Sequence, residues 1–213
     1  MSAVSPQVIS SGSRSKKIIA LTFDACATSS PSHYDEKIVS ILIESKTPAT
    51  IFVCGKWAIE HQKEIKYLSK QSFFEIGNHS FIHPHCTKIS TKRLLEEIHL
   101  TQDILFTLTG KQPHYFRPPY GEYNDSVVQH IAQCGLSTVE YDLPSGDPDT
   151  NATAKKLIEW VVRKAENGSV IVMHVNKRGW HSAEALPEII DRLRKKGFTF
   201  ATMSGLVQKA KAD

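Results

Sequence analysis

The chain has 213 residues, of which 40% are hydrophobic and 23% are charged, values that fit one globular domain and exclude disordered and fibrous proteins. The formal net charge of +4 is too small to indicate nucleic-acid binding, and no apolar run is long enough to span a bilayer. Residues 1–16 are polar and contain no apolar signal-peptide core, so we expect a polar N-terminal tail. None of these features predicts an oligomeric state.

From residue 17 onward, short apolar runs alternate with amphipathic stretches. The run Ile18–Phe23 is typical of a strand that is buried on both faces, and Tyr34–Glu44 has apolar residues at helical spacing. The later predicted elements are strand Thr50–Val53, helix Trp57–Lys70, strand Phe73–Gly77, helix Ser90–Thr109, strand Tyr115–Phe116, helix Ser126–Cys134, strand Ser137–Leu143, helix Ala154–Ala165, strand Ser169–Val175, helix Ala183–Lys196 and strand Phe198–Met203. This alternation predicts an α/β fold with about seven parallel strands, either a barrel or a doubly wound sheet.

Ionisable side chains follow most of the predicted strands. In chain order they are Asp24, His79, His83, Arg117, Asp142, Asp147 and His174. The carboxyl ends of parallel strands meet at one edge of the sheet, and ligands of such folds bind there. We therefore expect these side chains to lie close together in one site.

The residue types at this edge indicate hydrolytic chemistry. His79 and His83 are four residues apart and can converge on one metal ion if the segment turns back as a helix does. Asp24 either caps the following loop or acts as a general base on water, with Arg117 close enough to keep it ionised. His174 is either a core histidine or, opposite Asp24, a general acid near neutral pH. No serine-nucleophile motif and no phosphate-binding loop is present, and a pair of Cys26 with a histidine is the weaker nucleophilic alternative.

The chain resembles the polysaccharide deacetylases with a NodB-homology domain, which form carbohydrate esterase family 4. The matching segments are Thr22–Ala25 for the TFDD motif, His79–His83 for HSxxH, Arg117–Tyr120 for RxPY, Ser145–Asp147 for the fourth motif and Val172–His174 for LxH. The resemblance implies a distorted (β/α) barrel with about seven parallel strands. It also implies a NodB-like catalytic domain over 17–206, between the N-terminal tail 1–16 and a C-terminal tail 207–213.

The resemblance implies a role for each catalytic residue. Asp24 corresponds to the catalytic base and Arg117 to the residue that orients it. The backbone N–H of Tyr120 corresponds to part of the oxyanion hole, and His174 to the general acid, tuned by Asp147. The implied reaction is hydrolysis of an acetyl group, most often the N-acetyl group of an amino sugar.

The resemblance further implies that His79 and His83 bind a divalent metal ion, with zinc as the first choice and cobalt or nickel as alternatives. The family's third protein ligand, the second Asp of TFDD, is Ala25 in this chain. The candidates for a replacement ligand are Cys26, Asp147 and Asp149. The other alternative is a site with little or no metal.

Three functions follow from these features. The first is a hydrolase of carbon–nitrogen bonds other than peptide bonds, which deacetylates peptidoglycan, chitin-like or related glycans. The second is a metal-independent amidohydrolase of the same fold, similar to allantoinases, which acts on a small cyclic or linear amide. The third is a non-catalytic glycan-binding relative. The resemblance favours a periplasmic or secreted location, although the chain shows no signal peptide.

Overall fold

A computed structural model describes residues 5–27, 29 and 31–210, and every structural statement below refers to these residues. The strands are β1 Val8–Ile9, β2 Ile18–Ala25, β3 Ala49–Val53, β4 Phe74–Asn78, β5 Tyr115–Phe116, β6 Ser137–Val139, β7 Leu143–Pro144, β8 Val170–His174 and β9 Thr199–Ala201. The helices are α1 Glu36–Glu44, α2 Gly55–Glu60, α3 Gln62–Ser69, α4 Thr91–Thr109, α5 Asp125–Gln133, α6 Ala154–Lys164, α7 Ser182–Lys195 and α8 Met203–Ala210. Two 3₁₀ turns cover Cys86–Lys88 and Pro119–Gly121.

The strands form one curled parallel sheet with helices packed around it. The strand order is β1-β6-β5-β4-β3-β2-β8-β7, and β9 pairs with β2 beside this path. The described ladders between named strands are all parallel, as the alternation of strands and helices predicted. The α/β barrel-like class is therefore confirmed, with more strand segments than the seven or so that we expected.

The two faces of β2 enter different parts of the core. Leu21 and Phe23 belong to the large apolar cluster that includes side chains of α1, α6 and α7. Ala20 belongs to a smaller cluster with Phe52 on the concave side of the sheet. Because successive side chains of a strand alternate, Asp24 lies on the concave side, while Ala25 belongs to the helix-facing cluster. The strand therefore presents its last carboxylate to the interior of the half-barrel.

The ends of α4 follow the sequence signals closely. The Ser90 side chain accepts a hydrogen bond from the Arg93 N–H at 3.2 Å and so caps the amino end. Gly110 ends the helix with a φ of +71°, a conformation that costs a residue with a Cβ more than it costs glycine. This helix lies against β4, whose carboxyl end leads into the histidine segment.

Two predicted elements are each divided in the structure. The predicted helix Trp57–Lys70 is α2 and α3, which meet at His61, where φ is −120° and ψ is 42°. The predicted strand Ser137–Leu143 is two strands, since β6 ends at Val139 and β7 starts at Leu143. Apolar residues lie on both sides of each break, so periodicity alone does not reveal the breaks.

The ends of the chain contain more regular structure than predicted. Within the segment that we expected to be a tail, β1 pairs with β6, and the Ile9 carbonyl accepts the N–H of Glu140 at 2.9 Å. At the other end, the predicted strand Phe198–Met203 stops at Ala201 and α8 follows. A two-residue strand has too few positions for a period to be visible. No helix in the described part of the chain is long and apolar enough to cross a bilayer.

Candidate active site

Asp24 and Arg117 form a buried ion pair at the end of β2. Arg117 Nη1 donates to Asp24 Oδ1 at 2.8 Å, and the guanidinium lies 4.1 Å from the centre of the Phe52 ring. Burial raises the pKa of the Asp24 carboxyl, but the positive charge of Arg117, aided by His79 and His174, outweighs it and leaves the pKa lowered. Asp24 is therefore ionised near neutral pH and has an oxygen, Oδ2, that Arg117 does not occupy.

His174 and Asp147 form a second charged pair beside the first. His174 is the register partner of Asp24 across β8 and β2. Its Nδ1 lies 2.9 Å from Asp147 Oδ1, while Asp147 Oδ2 accepts the His174 backbone N–H at 2.8 Å and the Ser182 hydroxyl at 2.6 Å. Burial lowers the pKa of His174, but the hydrogen bond and charge of Asp147 outweigh it and raise the pKa. Asp147 therefore favours the protonated form of the His174 imidazole and fixes its orientation.

His79 presents a free ring nitrogen to Asp24. Its Nδ1 lies 2.7 Å from the Arg117 carbonyl oxygen, which can only accept, so Nδ1 carries the proton and Nε2 carries a lone pair. Nε2 is buried without a hydrogen-bond partner and lies 3.6 Å from Asp24 Oδ2. Two electron-rich atoms facing each other in a buried site favour a proton or a metal ion between them.

His83 lies next to His79 and is also neutral. The two ring centres are 4.9 Å apart with an edge-on arrangement. Burial, reinforced by the neighbouring His79, lowers the pKa of His83 to about 3. Neutral imidazoles with unshared lone pairs are the form in which histidine binds metals. The pair therefore fits two positions of a divalent metal site.

A third ligand is not in place within the described residues. No group of three or more His, Cys, Asp or Glu side chains there is arranged to hold a metal ion. Ala25 has only a methyl group, both Asp147 oxygens are engaged as described above, and Asp149 is exposed and accepts from Asn151. Cys26 Sγ lies 3.2 Å from the Asn176 amide nitrogen. Among the described residues, none of the three replacement candidates completes a metal-binding group with the two histidines.

Tyr120 forms the opposite wall of the site in a strained conformation. Its φ of 62° lies in the left-handed region, which is uncommon for a residue with a side chain and is concentrated at functional sites. The exposed ring packs edge-on against His83 at 4.5 Å and stacks on His85 at 4.2 Å. His85 Nδ1 in turn lies 2.8 Å from a Glu122 carboxylate oxygen. The strain places the Tyr120 backbone beside the histidines, where we predicted an oxyanion-hole donor.

These side chains surround a cleft of about 200 Å³. The residues in its wall include Asp24, His83, Tyr120, Asp147, His174 and Arg178. Arg117 and His79 lie directly behind Asp24, so the structure brings together Asp24, His79, His83, Arg117, Tyr120, Asp147 and His174, but not Asp142. A larger groove of about 890 Å³ on the far side of the loop after β8 contains neither charged pair.

Asp142 does not belong to this site, although we expected it at the same edge. Its carboxylate accepts the backbone N–H of Val170 at 2.7 Å and pairs with Arg14 at 2.7 Å. Val170 is the first residue of β8, so Asp142 lies at the amino end of that strand. The break between β6 and β7 explains the error. Between Val139 and Leu143 the chain passes from the carboxyl end of β6 to a position beside the start of β8.

Sequence reasoning missed two charged residues near the cleft. Glu140 follows β6 directly and is 7% exposed, and its Oε1 is buried with no hydrogen-bond partner among the described residues. Burial raises the pKa of Glu140 to about 7, while Arg117 acts in the opposite direction. If the predicted strand had ended at Val139, Glu140 would have been recognised as a charged residue that directly follows a strand. Arg178 lies four residues beyond the end of β8, where no strand-end rule reaches.

Comparisons with known proteins agree with this geometry. The sequence profile described as Polysaccharide deacetylase matches residues 11–139. The chain belongs to the polysaccharide deacetylase family. Among curated relatives, the peptidoglycan-N-acetylmuramic acid deacetylase PdaA of Bacillus subtilis is 29% identical over 199 residues, which cover 92% of this chain and 73% of PdaA.

Two solved structures show the range within the family. The peptidoglycan N-acetylglucosamine deacetylase Bc1960 superposes with a TM-score of 0.88 and 28% identity, covering 94% of this chain and 92% of that one. BA3943 of Bacillus anthracis, a family 4 pseudoenzyme, superposes with a TM-score of 0.86 and 26% identity. The match covers 95% of this chain and 69% of that one. A BA3943 mutant with restored enzymatic activity has the same fold. The family acts on carbon–nitrogen bonds other than peptide bonds and generally depends on a metal ion, so the predicted enzyme class is confirmed.

Proposed function

We propose that the chain removes N-acetyl groups from amino sugars of peptidoglycan or a related glycan. The observation that carries the proposal is that two charged pairs, Asp24–Arg117 and His174–Asp147, lie side by side. They are adjacent because Asp24 and His174 are register partners on neighbouring strands. One pair supplies a carboxylate held in its ionised form and the other an imidazole whose protonated form is favoured, both at the wall of one small cleft. These are the two states that base-assisted attack and acid-assisted departure require.

In the proposed reaction, Asp24 takes a proton from water, and the water oxygen forms a bond to the acetyl carbonyl carbon. The backbone N–H of Tyr120 donates to the oxygen that gains negative charge. His174 then gives its Nε2 proton to the amide nitrogen as the carbon–nitrogen bond breaks, which leaves acetate and a free amine. Asp147 keeps the imidazole in the tautomer and orientation that this transfer needs.

In the same proposal, His79 and His83 hold a divalent metal ion, zinc before cobalt or nickel. When bound, such an ion supplies Lewis-acid polarisation of the acetyl carbonyl. The buried lone pair of His79 and the neutral state of His83 support this assignment. The proposal leaves the third ligand open, because Ala25 carries no donor atom. We also propose an extracytoplasmic location, since the curated relative PdaA is named for peptidoglycan.

The test is release of acetate from acetylated glycans and chitooligosaccharides by the purified full chain, with zinc, cobalt or nickel supplied. Asp24→Asn and His174→Ala should each lower kcat by roughly 10²- to 10⁴-fold, the range expected for removal of a general base or acid. Asp149→Asn is the control, because that carboxylate is exposed on the same loop as Asp147. Unchanged turnover in either active-site variant would refute the assigned role.

The second candidate is a glycan-binding relative without turnover. The observation that favours it is Ala25 at a ligand position, together with the similarity to the pseudoenzyme BA3943. Binding of glycans with no acetate released under any metal condition would support this candidate over the deacetylase.

A further inference from the structure

The loop after β8 places an arginine in the wall of the cleft. Arg178 lines the cavity together with Asp24, His83 and His174, whereas its neighbour Lys177 lines the larger groove on the other side of the loop. Arg178 is half-buried in that wall. The arginine therefore lies within electrostatic range of the proposed reaction centre.

The backbone around Arg178 is fixed by contacts to Asp147. The Trp180 N–H donates to the Asp147 carbonyl oxygen at 3.1 Å, and the Ser182 hydroxyl donates to the Asp147 carboxylate at 2.6 Å. A Cβ at Gly179 would lie 2.1 Å from Ser182 Oγ and 2.4 Å from Asp147 Oδ2, so a larger residue would displace both groups. The residue that holds the proposed general acid thus also positions the loop that carries the arginine.

Arg178 differs from the other charged groups of the cleft in having no counterion. Asp24 is paired with Arg117 at 2.8 Å, and Asp147 is paired with His174 at 2.9 Å. The guanidinium of Arg178 forms neither an ion pair nor a hydrogen bond with any residue in the described ranges. A half-buried cation beside two internally balanced pairs favours an anionic ligand.

We propose that Arg178 binds a carboxylate of the substrate, and that the preferred substrate is an acetamido sugar with a carboxylate next to its acetamido group. N-acetylmuramic acid has this chemistry, because the carbon beside the one that bears the acetamido group carries a lactyl ether ending in a carboxylate. The inference rests on the proposed deacetylation and specifies its substrate class. A planar guanidinium can engage a carboxylate through two parallel hydrogen bonds, which fixes orientation as well as adding affinity.

Binding of a substrate carboxylate by Arg178 also explains why Arg117 and Arg178 occupy different places near the cleft. Arg117 is paired with Asp24 and buried behind it, so a ligand in the cleft cannot contact its guanidinium. Arg178 is partly exposed on the rim, where it can contact a substituent of the sugar while the acetamido group lies between Asp24 and His174. The site can then distinguish two acetylated sugars by charge alone.

The experiment measures binding by NMR chemical-shift titration, separately from turnover. The full chain is titrated with N-acetylmuramic acid, its methyl ester and N-acetylglucosamine, and with the deacetylated products muramic acid and glucosamine, which cannot react. We expect each sugar with a free carboxylate to bind about 10-fold more tightly than the matching sugar without one, as one charge-assisted contact provides. Arg178→Gln should abolish that difference, Arg178→Lys should keep part of it, and Lys177→Gln, the neighbouring cation outside the cleft, should keep all of it.

Equal binding of the sugars with and without a free carboxylate by the wild-type chain, or a preference that survives in Arg178→Gln, would overturn the inference. Unfolding midpoints of the variants verify that they are folded, and Arg178→Lys tests the charge if Arg178→Gln is unstable. Acetate release from the two acetylated sugars is measured in parallel. A carboxylate preference with no acetate released from these sugars or from acetylated glycans would refute the proposed deacetylation and leave the carboxylate site standing. Acetate release at equal kcat/KM from both sugars would instead support deacetylation and refute the carboxylate site.

Discussion

At the scale of single residues, Asp147 determines the protonation state of His174. Burial alone would lower the pKa of this imidazole, and the carboxylate reverses the direction. A general acid works only while protonated, so kcat/KM must fall as the pH rises through the pKa of His174. In Asp147→Asn that alkaline limb should move to lower pH, because burial then faces less opposition.

The measurement is the pH profile of kcat/KM together with NMR titration of His174, which reports its pKa whether or not the variant turns over. Asp149→Asn serves as the matched control on the same loop, since its carboxylate bonds only within its own turn. A limb that stays in place in Asp147→Asn would mean that another group sets the alkaline pKa.

Glu140 is a second residue whose titration has a measurable effect. Burial raises its pKa in the folded chain to about 7 from an ordinary value of 4.5, with Arg117 opposing and Asp24 reinforcing the rise. The unfolded chain therefore loses the Glu140 proton first, and the folded state loses stability as the pH rises from 4.5 to 7. The loss is on the order of 3 kcal/mol when complete.

Glu140→Gln removes this titration while keeping the shape of the protonated side chain. The variant should match the wild-type chain near pH 4.5 and be more stable above pH 7, as measured by the free energy of unfolding in urea at several pH values. Glu75→Gln is the control, because Glu75 accepts from Thr50 and from the Ser204 backbone away from the cleft. A variant that is destabilised equally at every pH would show that Glu140 is ionised and paired throughout.

At the scale of elements, α4 holds the segment that carries the histidine pair. Glu97 has no exposed surface, and its Oε2 accepts the backbone N–H groups of Phe81 at 2.7 Å and Ile82 at 2.9 Å, while Oε1 pairs with Arg93. Glu97→Gln loses the charge and turns one acceptor into a donor. We expect a loss of about 2 kcal/mol of stability, the range for hydrogen bonds to a buried charged group.

The control for this substitution lies one residue earlier on the same helix. Glu96 also approaches Arg93, at 3.6 Å, but its side chain is half exposed, and Glu96→Gln should change stability by less than about 0.5 kcal/mol. Urea unfolding measures both effects, and the NMR signal of His83 should shift only in Glu97→Gln. Equal effects of the two substitutions would show that the helix, rather than the Glu97 carboxylate, fixes the segment.

The sequence predicts those parts of the site that directly follow a long buried strand. Asp24 and His174 end β2 and β8, whose uninterrupted apolar runs mark their ends clearly. Glu140 and Arg178 are less visible, for different reasons. The predicted strand continues to Leu143 and so hides the break after Val139, and the position of Arg178 depends on loop backbone geometry rather than on any period. Local pattern thus locates strand ends, and tertiary contacts decide the rest.

At the scale of the whole molecule, the site is assembled from residues far apart in sequence, so a ligand that joins them stabilises the fold. A metal ion that binds only the folded chain adds RT ln(1 + [L]/Kd), which is about 2.7 kcal/mol at a hundredfold excess over Kd. For a domain of this size that corresponds to a rise in Tm of roughly 5 to 10 °C. The thermal shift with zinc therefore reports on metal binding independently of catalysis.

We expect a small zinc-induced rise in Tm for the wild-type chain, whose described residues offer His79 and His83 but no third ligand. Ala25→Asp supplies a carboxylate at the position that the family uses, and its zinc-induced rise should exceed that of the wild-type chain by several degrees, with roughly tenfold tighter binding or more. Its metal-free Tm should be lower, because Ala25 is fully buried in an apolar cluster and a carboxylate there is costly.

His79→Ala in the Ala25→Asp background should remove the zinc-induced rise in Tm, whereas Cys26→Ala, which leaves both imidazoles intact, should preserve it. If Ala25→Asp shows no larger shift than the wild-type chain, position 25 does not supply the missing ligand, and a large shift already present in the wild-type chain and lost in Cys26→Ala would assign that role to the thiolate.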